Sequence, residues 1–229
     1  MKTENKLNQT PSYSSCVLPL SSREDTYPDV LADIYQDETN IAIWKRSLSA
    51  ELLSSVDRFI KTNTMNQTTL AVTAENTHEV LVKAFGETKI SKVFSDDIAQ
   101  LVDMFCCLFD LKRAGLRLTI MDNAMCPKFH VDKIPCRLVS TYQGIATEWI
   151  PNHLVDRSKL GRGSLGKKDE ESGLLKNWGD VHSLNCGDVA LIKGERWEGN
   201  EGGGLVHRSP PVPVDMNRLL LTLDFIDFE

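Results

Sequence analysis

After Gly115 the chain stops reading as helix and breaks into seven short strand-like runs: "LRLTIM", "KFHVDK", "CRLVSTY", "ATEWI", "DVALIK", "GLVHRS" and "NRLLLTLDF". Gly, Pro and Asn separate them, and no long helical pattern lies between them, so an antiparallel sandwich or jelly roll is expected. Between the fourth and fifth runs, residues 152–180 form a polar stretch too long for an ordinary hairpin. It is expected to be either disordered or a lid.

Upstream the texture differs. In "SLSAELLSSVDRFI" the apolar residues Leu48, Leu52, Val56, Phe59 and Ile60 recur at spacings of three and four, which predicts one buried helix face. In "SDDIAQLVDMFCCLFDLKRAG", Ser95 is placed to cap a helix and Gly115 to end it, with Ile98, Leu101, Val102, Phe105, Leu108 and Phe109 on the buried side. Residues 1–28, rich in Ser, Thr, Pro and Asn, read as a mobile arm. The expected organisation is that arm, a helical layer over 29–115, and a strand-built core over 116–229: an α+β fold.

The chain is 229 residues long and 41% hydrophobic, enough to bury a substantial core without disulfides. Its 26 Lys and Arg against 32 Asp and Glu give a net charge of −6, which argues against nucleic acid and anionic membranes as partners. Small molecules or proteins are the expected partners. The N-terminus has no signal-peptide core and no uncharged apolar run approaches about 18 residues, so a cytoplasmic protein is expected. Its six cysteines then read as reduced thiols.

The chemistry concentrates in "CPKFHVDKIPCRL". On a strand, His130 and Asp132 would project from one face about 7 Å apart, and a cation between them could take both. The best third ligand is His207, in a strand-like run after a glycine stretch. Two imidazoles and a carboxylate on one face of a metal leave its other face open, as non-haem Fe(II) oxygen chemistry needs. Arg218 opens the last run, where Arg218, Leu220, Thr222 and Asp224 share one face and Leu219, Leu221, Leu223 and Phe225 the other. An arginine pointing into a barrel requires an anionic partner, and a carboxylate fits its planar fork.

The order "FHVD", "GDVALIKG", "HRSPPVPVDMNRLLLTLDF" resembles the iron and 2-oxoglutarate-dependent dioxygenases over residues 116–226. More narrowly, the whole chain is similar to an uncharacterised bacterial family of unknown function. The first resemblance implies a double-stranded β-helix (jelly roll) behind the helical layer. It also implies Fe(II) on His130, Asp132 and His207, and 2-oxoglutarate on Arg218; Thr222 and Tyr142 are candidate cosubstrate contacts, with core or pocket-wall packing as the other reading. The reaction implied is hydroxylation or oxidative demethylation of an undetermined substrate.

The alternative from another class is a non-catalytic zinc-binding or metal-homeostasis protein using the same His/Asp/His site, or one recruiting Cys126 or Cys136. Arg218 discriminates, because a metal store has no reason to place a guanidinium in the pocket wall. The stretch "GRGSLGKK" matches G-x-G-x-x-G but lacks the strand before and helix after that a phosphate loop requires, and reads as a flexible basic loop.

Overall fold

In the computed structural model, which describes residues 20–63, 67–122, 124 and 126–226, ten strands form two sheets. The strands are β1 (Ser21–Asp25), β2 (Thr39–Trp44), β3 (Gln67–Val72), β4 (Ala114–Met121), β5 (Cys136–Gln143), β6 (Glu148–Ile150), β7 (His182–Ser183), β8 (Val189–Lys193), β9 (Val206–Arg208) and β10 (Arg218–Phe225). The larger sheet runs β1-β2-β8-β5-β10-β4-β3 and the smaller one β7-β6-β9. Ile41, Ile43, Val139, Ala190 and Ile192 of the large sheet meet Trp149, Leu184 and Leu205 from the small sheet and its flanks, making the core between the two layers.

Strand alternation gives the large sheet two different faces. Leu219, Leu221 and Leu223 of β10, Leu116 and Leu118 of β4, and Leu138 of β5 point outward into a second, larger core. Three helices cover that face: α1 (Ala50–Thr62), α2 (Thr77–Phe85) and α3 (Lys92–Leu108). Leu52, Val56, Phe59 and Ile60 of α1 and Phe94, Ile98, Leu101, Val102 and Phe105 of α3 supply their buried sides. No helix of the described residues is long and apolar enough to cross a membrane.

Several sequence expectations need correction. The helical layer over 29–115 is interrupted by β2 and β3, which belong to the large sheet, so this stretch is helix and strand together. The run "TNIAIW" is too short to show a helical period and gains its strand identity from pairing with β8. Of the arm over 1–28, residues 1–19 lie outside the described residues, and Ser21–Asp25 is ordered as an edge strand parallel to β2. Helix α3 starts one turn earlier than expected, with Ser91 as its cap, while Ser95 is buried against His78. Gly115 lies inside β4 instead of ending the helix. Finally, "KFHVDK" is not a strand. Only His130 pairs, in an isolated bridge to His207.

Candidate metal centre

That bridge brings the candidate ligands together. His130 and His207 exchange both backbone hydrogen bonds, each 3.0 Å, so the loop before β5 is fastened to β9 at the two histidines themselves. Asp132 follows in a turn held from the other side, where Glu195 N–H donates to Asp132 O at 2.9 Å and Gly194 N–H to Pro135 O at 2.8 Å. Gly194 permits this approach: a Cβ there would lie 2.1 Å from Ile134 O. The backbone, not an extended strand, therefore sets the spacing of His130 and Asp132.

The ligand atoms of His130, Asp132 and His207 all lie within 4.8 Å of one another. Nε2 of His130 is 3.7 Å from Asp132 Oδ1, and Nε2 of His207 is 3.6 Å from Oδ2. Each ring has its Nδ1 against a backbone carbonyl: Lys128 O at 2.9 Å for His130 and Leu205 O at 3.0 Å for His207. Carbonyls only accept, so each Nδ1 carries the proton and each Nε2 turns a lone pair toward Asp132. His207 is only 8% exposed, and burial pulls its pKa down to about 4, with the neighbouring His130 pushing the same way and Asp132 opposing. It is neutral at physiological pH, the form that binds metal.

A second layer of charge orients the site. Arg137 on β5 donates to Asp132 Oδ2 at 2.7 Å and grips Asp224 through Nε and Nη2 at 2.6 and 3.0 Å. Arg208, next to His207, donates to Glu148 at 2.6 Å and lies over the Phe129 ring at 4.4 Å. Phe129 N–H donates in turn to Asp169 at 2.8 Å, pinning the 152–180 stretch to the residue before His130. That stretch is built of short 3-10 turns and one turn of α-helix, and its Leu174 and Leu175 pack with Phe129, Ile150 and Val206. Within it "GRGSLGKK" has neither a strand before it nor a long helix after, so it is no phosphate loop.

One cavity joins His130 and His207 to β10. Its lining includes His130, His207, Arg117, Arg137, Thr147, Ser209, Arg218 and Thr222. Arg218 is 0% exposed. Its Nη1 donates to Ser209 Oγ at 2.5 Å and its Nη2 to Thr147 and Thr141 Oγ1 at 2.9 and 3.4 Å. Its Nε has no partner, and no carboxylate among the described residues is ion-paired with it. Burial lowers its pKa to about 10, with Glu148 opposing from a distance.

Thr222 also lines the cavity, its Oγ1 buried without a partner. Tyr142 does not reach it. This residue shares a β5 face with Cys136 and Leu138, packs edge-on against Phe94, and donates to Asp97 Oδ2 at 2.5 Å. Burial, with Asp97 adding to it, holds its hydroxyl pKa well above normal, so the group stays a donor in the helix-side core.

Cys136 is likewise buried in the helix-side core, outside the cavity and the cluster of ligand atoms, and burial raises its thiol pKa. Cys126 lines the cavity but stands outside the cluster of ligand atoms among the described residues. Cys16 lies outside the described residues. Sequence reasoning passed over Arg117, Arg137 and Arg208. The first two were signalled by alternation, since Arg117 shares a face with Thr119, and Arg137 with Val139 and Thr141, on the polar side of their strands.

A family profile described as protein of unknown function (DUF1826) matches residues 25–224. No curated protein matches the chain. Among solved structures, the dioxygenase for auxin oxidation from rice aligns with a TM-score of 0.50 at 7% identity, covering 90% of this chain and 83% of that one. The dioxygenase for auxin oxidation 1 from Arabidopsis thaliana, solved as its 2-oxoglutarate binary complex, aligns with a TM-score of 0.48 at 9% identity, covering 92% and 94%. The likeness to the rice structure is one of fold, a jelly roll.

Proposed function

The chain belongs to the family described as protein of unknown function (DUF1826), and from its site we propose an Fe(II)- and 2-oxoglutarate-dependent oxygenase that hydroxylates or oxidatively demethylates its substrate. One observation carries the proposal: a wholly buried guanidinium without a carboxylate partner among the described residues faces the same cavity as the two histidines of a His/Asp/His cluster. Burying an unpaired charge is expensive, so a fold that keeps one is built for an anion that arrives later.

The residues fit both groups. His130 and His207 offer Nε2 atoms and Asp132 a carboxylate oxygen, the mixed set that divalent iron accepts with positions to spare. Arg218 would hold the far carboxylate of 2-oxoglutarate, its planar fork presenting paired donors while Ser209, Thr141 and Thr147 keep it in place. When bound, iron and 2-oxoglutarate together would supply oxidation of an unactivated C–H bond by dioxygen. Arg137 keeps Asp132 aimed, and the Nδ1 hydrogen bonds fix both imidazoles in the ligating tautomer. Thr222 lies four residues beyond Arg218, roughly 13 Å along the strand, and so serves a different atom from the carboxylate that Arg218 takes.

Anaerobic titration of metal-free protein with Fe(II) and 2-oxoglutarate tests this. A weak visible charge-transfer absorption, absent in His207→Ala and requiring more 2-oxoglutarate in Arg218→Ala, is the expected result. Metal binding without that absorption, at any 2-oxoglutarate concentration, would leave the zinc-handling alternative as the reading.

A further inference from the structure

Arg218 is not the only guanidinium in the cavity lacking a counter-ion. Arg137 and Arg208 are ion-paired, but Arg117 has no ion pair among the described residues, and its Nε is buried without a hydrogen-bond partner. In the sheet, Arg117 on β4 stands directly opposite Thr222 on β10 and Thr69 on β3. Directly opposed side chains have Cβ atoms about 5 Å apart. Two unsatisfied buried groups, Arg117 Nε and Thr222 Oγ1, therefore sit side by side on the cavity wall.

Arg117 is half-buried, and its unmet Nε offers a donor to an acceptor from a ligand, since each buried polar group left unpaired is destabilising. 2-Oxoglutarate already has other partners. On the oxygenase reading above, on which this inference rests, one of its two carboxylates goes to the metal and the other to Arg218. Val139 and Leu220 line the cavity nearby and offer an apolar wall.

We propose that Arg117, with Thr222, is the specificity-determining anion subsite for the primary substrate, and that this substrate is a small carboxylic acid with an apolar body. The flat guanidinium fork takes the carboxylate, the Thr222 hydroxyl donates to it, and Val139 and Leu220 contact the body.

The test uses full-length protein loaded with Zn(II) as a diamagnetic stand-in for iron and saturated with 2-oxoglutarate. Benzoate, phenylacetate and octanoate, each with its matched amide, are the probes, and binding is measured by ligand-observed NMR. At least one acid is expected to bind about tenfold or more tightly than its amide, the discrimination that a buried charged hydrogen bond gives. Arg117→Met should abolish this preference while binding 2-oxoglutarate within about twofold of wild type, and Arg117→Lys should keep part of it. Thr222→Val, a nearly isosteric change, supplies a second variant if Arg117→Met folds poorly, and should weaken the preference.

The inference is overturned if no acid binds the loaded protein, if amides bind equally, or if Arg117→Met retains the preference. Loss of 2-oxoglutarate binding in Arg117→Met would also overturn it, by moving Arg117 into the cosubstrate site. Failure of the oxygenase reading looks different, because wild-type protein would then bind no 2-oxoglutarate at all.

Discussion

Replacing Arg218 with methionine should have opposite effects on the empty and the loaded protein. In the empty protein the substitution removes hydrogen bonds to Ser209, Thr141 and Thr147 but also removes a buried charge with no carboxylate partner. Exchanging buried charge for apolar volume is commonly neutral or stabilising by about 1–4 kcal/mol, and the three hydroxyls left behind offset part of that. The midpoint of thermal unfolding should therefore stay level or rise. In the loaded protein, two charge-assisted bonds to the 2-oxoglutarate carboxylate, about 1.5–3 kcal/mol each, are lost, so affinity should fall by roughly a hundredfold or more. At a 2-oxoglutarate concentration of about 100 times the wild-type Kd, the ligand contributes about 2.7 kcal/mol of stability, or about 5–10 °C for a chain of this size. Differential scanning calorimetry of metal-loaded wild type and variant, with and without 2-oxoglutarate, reads both effects. If the empty variant melted far below wild type while its 2-oxoglutarate shift survived, Arg218 would be a structural residue and the reasoning would be wrong.

Other outcomes follow from the same contacts. Because burial lowers the His207 pKa to about 4 against about 6.5 in the unfolded chain, the unfolded state binds more protons between those values. Metal-free protein should lose stability as pH falls from about 6.5 toward 4, by at most a few kcal/mol, and His207→Gln should flatten that slope in urea titrations at fixed pH. Gly194→Ala forces a Cβ against Ile134 O and displaces the Asp132 turn, so Fe(II) affinity should drop about 10- to 100-fold by competition with a metallochromic chelator. Joint replacement of Cys126 by Ser and Cys136 by Ala should leave bound metal per chain unchanged by elemental analysis, while the Cys136 change alone lowers stability by about 1 kcal/mol through its cavity.

Local rules reached a long way into this protein. A period of two on "NRLLLTLDF" separated Arg218 and Thr222 from Leu219, Leu221 and Leu223, and the sheet keeps that division, since the leucines enter the helix-side core. Spacings of three and four found the buried sides of α1 and α3. The same alternation, applied to "CRLVSTY", groups Tyr142 with Cys136 and Leu138 and already separates it from the cavity face.

What local rules could not reach were relations between distant segments. The third ligand could be guessed from residue type, but the pairing of His130 with His207, the clamp of Gly194 and Glu195 on the Asp132 turn, and the grip of Arg137 on Asp132 each join stretches with no shared local pattern. Whether β2 and β3 are strand or helix is set by their sheet neighbours, because runs of six residues do not complete enough turns to declare a period. The sequence by itself determined which side chains share a face, since backbone geometry fixes that residue by residue. Only the tertiary structure decided which faces meet, and hence which charges find partners and which, like Arg117 and Arg218, stand without an ion pair among the described residues, since pairing depends on distances that packing alone sets.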